Sequence, residues 1–484
     1  MRMMRDNWRA TGLTILVLGA LGLSVPAASA QQQQEPGQQQ PQGQSGAPIP
    51  AYRSPLISDD NSDTGDNSQE PSPDTRPLAG TQNLALSGLE TKRSFWQPHF
   101  AVSAAGDSNA RQNTNNPTWS TWTSFAGGVD AQKISSSSQM SVGYTGGFMY
   151  SNDRSMPDGI VQQFNFADTL EFRRATLTIL DDFSYLPEQR FGFGGLGGVP
   201  LPGGVSTGLG PGLVPSQSVL SGHAQSLINS YVTQLDVSAT SRSSVTFAGG
   251  YSVVHYLEGN LLDTREITGR VGYNYQLSRR DTVALLYNFQ EIAYSGSLGS
   301  INNHITEVSY GRRITGRLAF QISGGPEVTI FHTPISSTAT TSTQLSWAMS
   351  TALQYELRRN HFGLDYSHGV SGGSGVLLGS ATDTASGALV RRMSRTFNSG
   401  ITAGFAHNRG LPTAANPTNQ HYNYWFTGAT LSHPWGRTVG VTLSYQMQYQ
   451  NSNIPFCISS TCGTKIMRHV ISFGLDWRER PLLF

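Results

Sequence analysis

The sequence predicts an all-β protein, a membrane-spanning antiparallel up-and-down β-barrel of about eighteen strands with sixteen as the nearest alternative, preceded by an export signal and a linker. Three observations carry that reading. Apolar and polar residues alternate over runs of ten or more, as in Leu345, Trp347, Met349, Thr351, Leu353, Tyr355 and Leu357 against Gln344, Ser346, Ala348, Ser350, Ala352, Gln354 and Glu356. Strands of soluble proteins average about five or six residues, whereas a tilted strand crossing a bilayer needs about 9 to 11. Short Arg-bearing turns alternate with longer Gly/Pro/Ser-rich links. Finally, only 13% of the 484 residues are charged, against roughly 25% in an ordinary soluble domain.

Residues 1–30 read as a signal peptide. Arg2, Arg5 and Arg9 precede an apolar run from Leu13 to Leu23, and Ala28-Ser29-Ala30 forms a small-residue cleavage site. The run stops at Ser24 and Pro26, short of the roughly 20 apolar residues a helical anchor needs. Residues 31–95 form a linker expected to lie in the periplasm, rich in Gln, Pro, Ser, Asp and Gly up to about Leu78. Such a composition buries too little apolar area to offset the entropy of ordering.

Residues 96–484 form the expected barrel domain. Beyond Trp96 no stretch reaches eighteen apolar residues, while the alternation recurs. Val439, Val441, Leu443, Tyr445, Met447 and Tyr449 make one such row, and Ile267, Val271, Tyr273, Tyr275 and Leu277 another. Strand centres fall near 100, 125, 145, 166, 180, 233, 250, 270, 288, 307, 323, 350, 366, 388, 402, 427, 444 and 471. The weakest are those near 307, 388 and 166, the last because Asp168 interrupts an apolar row. The short turns carry Arg173, Arg174, Arg242, Arg279, Arg280, Arg312, Arg313, Arg358, Arg359, Arg391, Arg392 and Arg437. Long links are expected around 106–118, 152–160, 187–226, 258–263, 296–301, 332–342, 373–382, 410–420 and 452–464. Aromatic girdles are expected at strand ends from Tyr251, Tyr256, Tyr287, Tyr294, Tyr355, Tyr445 and Tyr449. A soluble sandwich or β-helix would account for alternation but not for the strand length, the girdles or the sparse charge. The polar rows must then line an interior that a barrel of this size leaves too wide for side chains to fill.

Composition also excludes classes of function. With 32 Lys+Arg against 31 Asp+Glu the net charge is +1, so no basic field exists for nucleic acid. Two cysteines cannot build a disulfide scaffold or a thiolate zinc site, and no cofactor is indicated. Cys457 and Cys462 share one link and are expected to be bridged in an oxidising compartment.

Hairpins such as Tyr275-Gln276-Leu277-Ser278-Arg279-Arg280-Asp281-Thr282-Val283-Ala284-Leu285 resemble those of bacterial outer-membrane β-barrels of the porin-like kind, over about residues 96–477. The resemblance implies an outer-membrane location and insertion by the barrel assembly machinery. That machinery reads a last strand ending in an aromatic; Ile471, Phe473, Leu475 and Trp477 fit, yet the chain runs on to Phe484.

Glu266, Arg270, Glu307, Glu356 and Asp365 are candidate pore-lining charges, or mutually paired structural residues. The Arg-rich turns are expected to meet anionic head groups of the inner leaflet, or to keep the turns soluble. The link from about Pro187 to Ser226 is a candidate constriction loop or a surface loop. His368 with Ser371, His407 with Asn408 and Asp263 near His255 are positional candidates for hydrolysis, but none forms a motif, and no enzymatic role is expected. The expected function is a channel for passive diffusion of small solutes or export of a polymer such as a polysaccharide. The alternative is a surface-exposed adhesin or structural barrel. Oligomeric state is not readable.

Overall fold

The computed structural model describes residues 94–110, 117–152, 158–186, 225–257, 261–296, 298–335, 338–372, 375, 377–394, 396–411, 420–453 and 464–483. Eighteen strands follow one another up and down: β1 (Phe95–Asp107), β2 (Ser120–Ile134), β3 (Ser138–Ser151), β4 (Gly159–Glu171), β5 (Ala175–Leu186), β6 (Ser226–Ser238), β7 (Ser243–Tyr256), β8 (Thr264–Gln276), β9 (Asp281–Tyr294), β10 (Ser300–Thr315), β11 (Leu318–Ile335), β12 (Thr338–Glu356), β13 (Asn360–Ser371), β14 (Ser380–Arg392), β15 (Asn398–Gly410), β16 (His421–Trp435), β17 (Val439–Ser452) and β18 (Lys465–Arg478). Each pairs antiparallel with its neighbour in sequence. The ladder closes where β1 pairs with both β2 and β18, in registers such as Val102↔Phe125 and Val102↔Leu475. Closure removes sheet edges, the condition a sheet must meet in hydrocarbon. After Pro481, a two-residue strand β19 (Leu482–Leu483) pairs with the start of β1 through Trp96↔Leu482.

All eighteen expected strands are present, the weak ones included. Asp168 lies near the short-turn end of β4 and accepts a hydrogen bond from Ser138 Oγ at 3.0 Å, so it does not break the apolar band at mid-wall. Period-two alternation places Ile267, Val271, Tyr273 and Tyr275 of β8 outward and exposed, and Glu266, Thr268, Arg270 and Asn274 inward and buried.

Four expectations need correction. The long link around 332–342 is instead strand: β11 reaches Ile335 and β12 resumes at Thr338, in register Ile335↔Thr338. Thr338, Thr340, Thr341 and Thr343 are β-branched and extend the hairpin where a Ser/Thr-rich composition suggested a loop. Arg312, Arg313, Arg391 and Arg392 lie in the last residues of β10 and β14 rather than in turns. Tyr256 and Tyr294 share the inward row of Val254 and Ile292 and are 4% and 7% exposed, so they are not girdle residues. Tyr251, Tyr287, Tyr355 and Tyr445 do face outward. Finally, the interior is not uniformly open. In the half nearest the long links the inner faces of β8–β11 and β15–β17 are buried, with Asn303, Thr329 and Tyr422 at 0%. Toward the short turns the inner face is mixed: Thr246, Asn274, Ala319 and Ser432 are buried, whereas Gln354, Glu356, Ser472 and Asp476 on β12 and β18 are half-exposed and Asp365 on β13 is exposed.

Candidate functional site

The closed wall and its parity place a polar network inside the barrel, on β8–β13. Gln290 Nε2 donates to Glu266 Oε1 at 2.7 Å, and Asn303 Nδ2 donates to Glu327 Oε1 at 2.5 Å. Thr329 Oγ1 completes Asn303 at 3.0 Å, and Ser346 Oγ donates to Glu327 Oε2 at 3.0 Å. Arg270 donates through Nε to Asn288 Oδ1. Its guanidinium interacts with the carboxylate of Glu307, which also accepts hydrogen bonds from Ser323 and Asn288. These partners matter because Glu266, Arg270 and Glu327 are 5%, 4% and 1% exposed, and a buried charge is tolerated only when paired or hydrogen-bonded.

Glu327 also shapes the mouth. β12 and β13 pair from Glu356↔His361 to Met349↔His368 and no further among the described residues. Beyond that point Val370 N donates to Glu327 Oε1 at 3.1 Å, so a carboxylate on β11 takes the donor that β12 would have accepted. From here the described residues of the β13–β14 link turn inward. Tyr294 Oη donates to the Gly372 carbonyl at 3.2 Å, and Leu262 N to the Gly375 carbonyl at 2.8 Å. Gly375 has φ +78°, and a Cβ there would lie 2.7 Å from the Tyr256 ring. Ile292, Tyr294, Ile301, Phe331 and Leu411 form an apolar cluster with Leu262, Val370, Leu378 and Ala381 around this link. The result is an apolar cluster at the mouth above a polar network, with exposed or half-exposed polar residues below it on β12, β13 and β18.

The structure sets each sequence-predicted charge in this frame. Glu266, Arg270 and Glu307 belong to the network, whereas Asp365 and Glu356 line the lower lumen and His361 Nδ1 lies 3.3 Å from Glu356 Oε1. Arg173, Arg174, Arg279, Arg280, Arg358 and Arg359 occupy turns. Arg312 faces outward beside Asp281 at 3.7 Å, and Arg313 faces inward, buried. Cys457, Cys462, Phe484 and nearly all of the 187–226 link lie outside the described residues. His368 pairs with Asp383 at 2.7 Å, not with Ser371, whose hydroxyl meets Ser380 and Thr382. His407 and Asn408 face opposite sides of the wall, bonded to Asn423 and Thr382. His255 and Asp263 do meet, at 2.8 Å. Among the described residues no group of three or more His, Cys, Asp or Glu is placed to hold a metal ion. Glu327 and Asn303 escaped the sequence reading; Glu327 shares the inward row of Gln321, Ser323 and Thr329, a parity signal that could have found it.

A closed ladder, an apolar outer face and a polar interior define an antiparallel β-barrel of the membrane-spanning type. No family model and no curated protein matches the chain. Among solved structures it is similar to Pseudomonas aeruginosa OccK2 (OpdF) in complex with glucuronate, at 9% identity over 80% of this chain and 98% of that one, with a TM-score of 0.39. It is likewise similar to Pseudomonas aeruginosa OccK8 (OprE), at 9% identity, 81% and 98% coverage and TM-score 0.38. Acinetobacter baumannii OccAB1 stands at 10%, 80% and 97%, and 0.38. At this distance neither a residue's role nor a solute passes from those proteins to this chain.

Proposed function

We propose that the protein is a water-filled outer-membrane channel for small solutes. The single observation that carries this is the exposed, inward-facing Asp365 on β13, with half-exposed Gln354 and Glu356 beside it: a polar, solvent-reached surface enclosed by an apolar wall. The inward link between β13 and β14 favours small solutes over an extended polymer, because it narrows the mouth against Tyr256, Ile292 and Tyr294. Along the inner face of β5–β13, Asp182, Asp236, Glu266, Glu307, Glu327, Glu356 and Asp365 stand against Arg270 and Arg313, which favours cations over anions. A cleaved leader, a periplasmic linker, insertion by the assembly machinery and a bridged Cys457–Cys462 link complete the reading. Purified protein in planar bilayers is expected to produce discrete conductance steps. Silence from correctly folded barrels would favour the adhesin or structural alternative.

A further inference from the structure

The outer end of the wall carries histidines as well as aromatics. Of the ten described histidines, seven stand on outward-facing rows, in the half of their strands nearest the long links. Five are held in the same manner, through Nδ1. His255 meets Asp263 Oδ2 at 2.8 Å, His304 meets Tyr287 Oη at 2.8 Å, and His368 meets Asp383 Oδ1 at 2.7 Å. His407 meets Asn423 Oδ1 at 2.7 Å, and His469 meets Tyr445 Oη at 2.8 Å. A partner on Nδ1 orients each ring and leaves Nε2 as the nitrogen for an outside ligand. The remaining neighbours are few: Phe289 beside His304, Trp347 stacked on His368 at 4.1 Å, Tyr366 sharing Asp383, and His421 at 6.3 Å from His407.

These five lie on β7, β10, β13, β15 and β18, around the barrel rather than in one patch. A compact ligand needs donors gathered together, whereas donors spread around a wall at one end meet a planar medium. Arg265, Arg409 and Lys465 are exposed on outward rows at the same end. We propose that this belt binds the phosphate groups of outer-leaflet lipids, the imidazolium and guanidinium N–H groups donating to phosphate oxygens. The inference rests on the orientation of the wall and is independent of whether the lumen conducts.

The test uses the full barrel in neutral detergent. It is incubated with bisphosphorylated lipid A or with the same lipid stripped of phosphate, and co-purifying lipid is quantified by mass spectrometry. Several-fold greater retention of the phosphorylated form is expected. Combined His304→Gln, His407→Gln and His469→Gln should remove most of that difference, while Arg279→Gln with Arg280→Gln at the opposite end should not. Equal retention of the two lipids by the unaltered protein overturns the proposal, a result that needs no variant to fold. So does undiminished retention by a triple variant that still migrates as a folded barrel.

Discussion

A single carboxylate, Glu327, stands where a strand neighbour is missing. It accepts from Val370 N, Asn303 Nδ2 and Ser346 Oγ in a site 1% exposed. Glu327→Ala would leave buried donors unmet, each costing about 1–3 kcal/mol. It should therefore lower the urea midpoint of the folded barrel and free the β13–β14 link, raising single-channel conductance; an unchanged midpoint and conductance would refute the anchoring role. Asp181 is the converse case. It sits at mid-strand on the outward row of β5, opposite exposed Tyr231, with Asn229 Nδ2 donating to it at 2.9 Å. A carboxylate facing hydrocarbon is costly. Replacing both partners, Asp181→Leu with Asn229→Leu, is expected to stabilise the barrel in lipid vesicles by on the order of 1 kcal/mol. A loss of stability in urea titration would show that this face meets something other than acyl chains.

Between strands, the alternation of long and short connections separates two chemistries. At the short-turn end Arg279, Arg280, Arg358 and Arg359 lie in turns, where each basic residue near an anionic surface contributes about 1 kcal/mol. Replacing all four by Gln should weaken insertion into anionic vesicles more than into neutral ones, and equal loss in both would leave only a turn-solubility role. At the other end the β13–β14 link depends on Gly379, whose φ is +79° and whose Cβ would lie 2.5 Å from Ile301 Cδ1. Gly379→Val should displace the link from the mouth cluster. Larger conductance steps are the expected readout, and steps of unchanged size would mean that this link does not set the constriction.

Across the whole molecule, the strands were legible because a two-faced wall repeats one simple constraint, and even Asp168 could sit in an apolar row once it lay near a turn. The mouth was not. Period-two alternation sets Tyr256 opposite Tyr251 and Tyr294 opposite Tyr287, on the inner face, a parity signal outweighed by their place at strand ends; it does not report whether the chain beyond a strand bends inward, so 373–382 read as an ordinary link. The five candidate charges belong to the polar rows, and all five face inward, but the partners of Glu266, Arg270 and Glu307, Gln290 and Asn288, come from another strand and depend on register.

The same register decides how the lumen should treat ions. On β8–β11 the carboxylates of Glu266, Glu307 and Glu327 face two guanidinium groups, Arg270 and Arg313, and Asp365 on β13 is exposed to the interior. Low-dielectric walls concentrate such a field along the axis, and salt screens it over about 10 Å at 0.1 M. Under a tenfold KCl gradient the reversal potential should therefore shift toward the Nernst potential of K⁺, and more strongly in dilute than in concentrated salt. Asp365→Asn should weaken that shift while leaving the conductance steps, because its carboxylate is exposed and a neutral amide fills nearly the same space. A reversal potential on the chloride side would leave a channel whose selectivity is set by residues other than these.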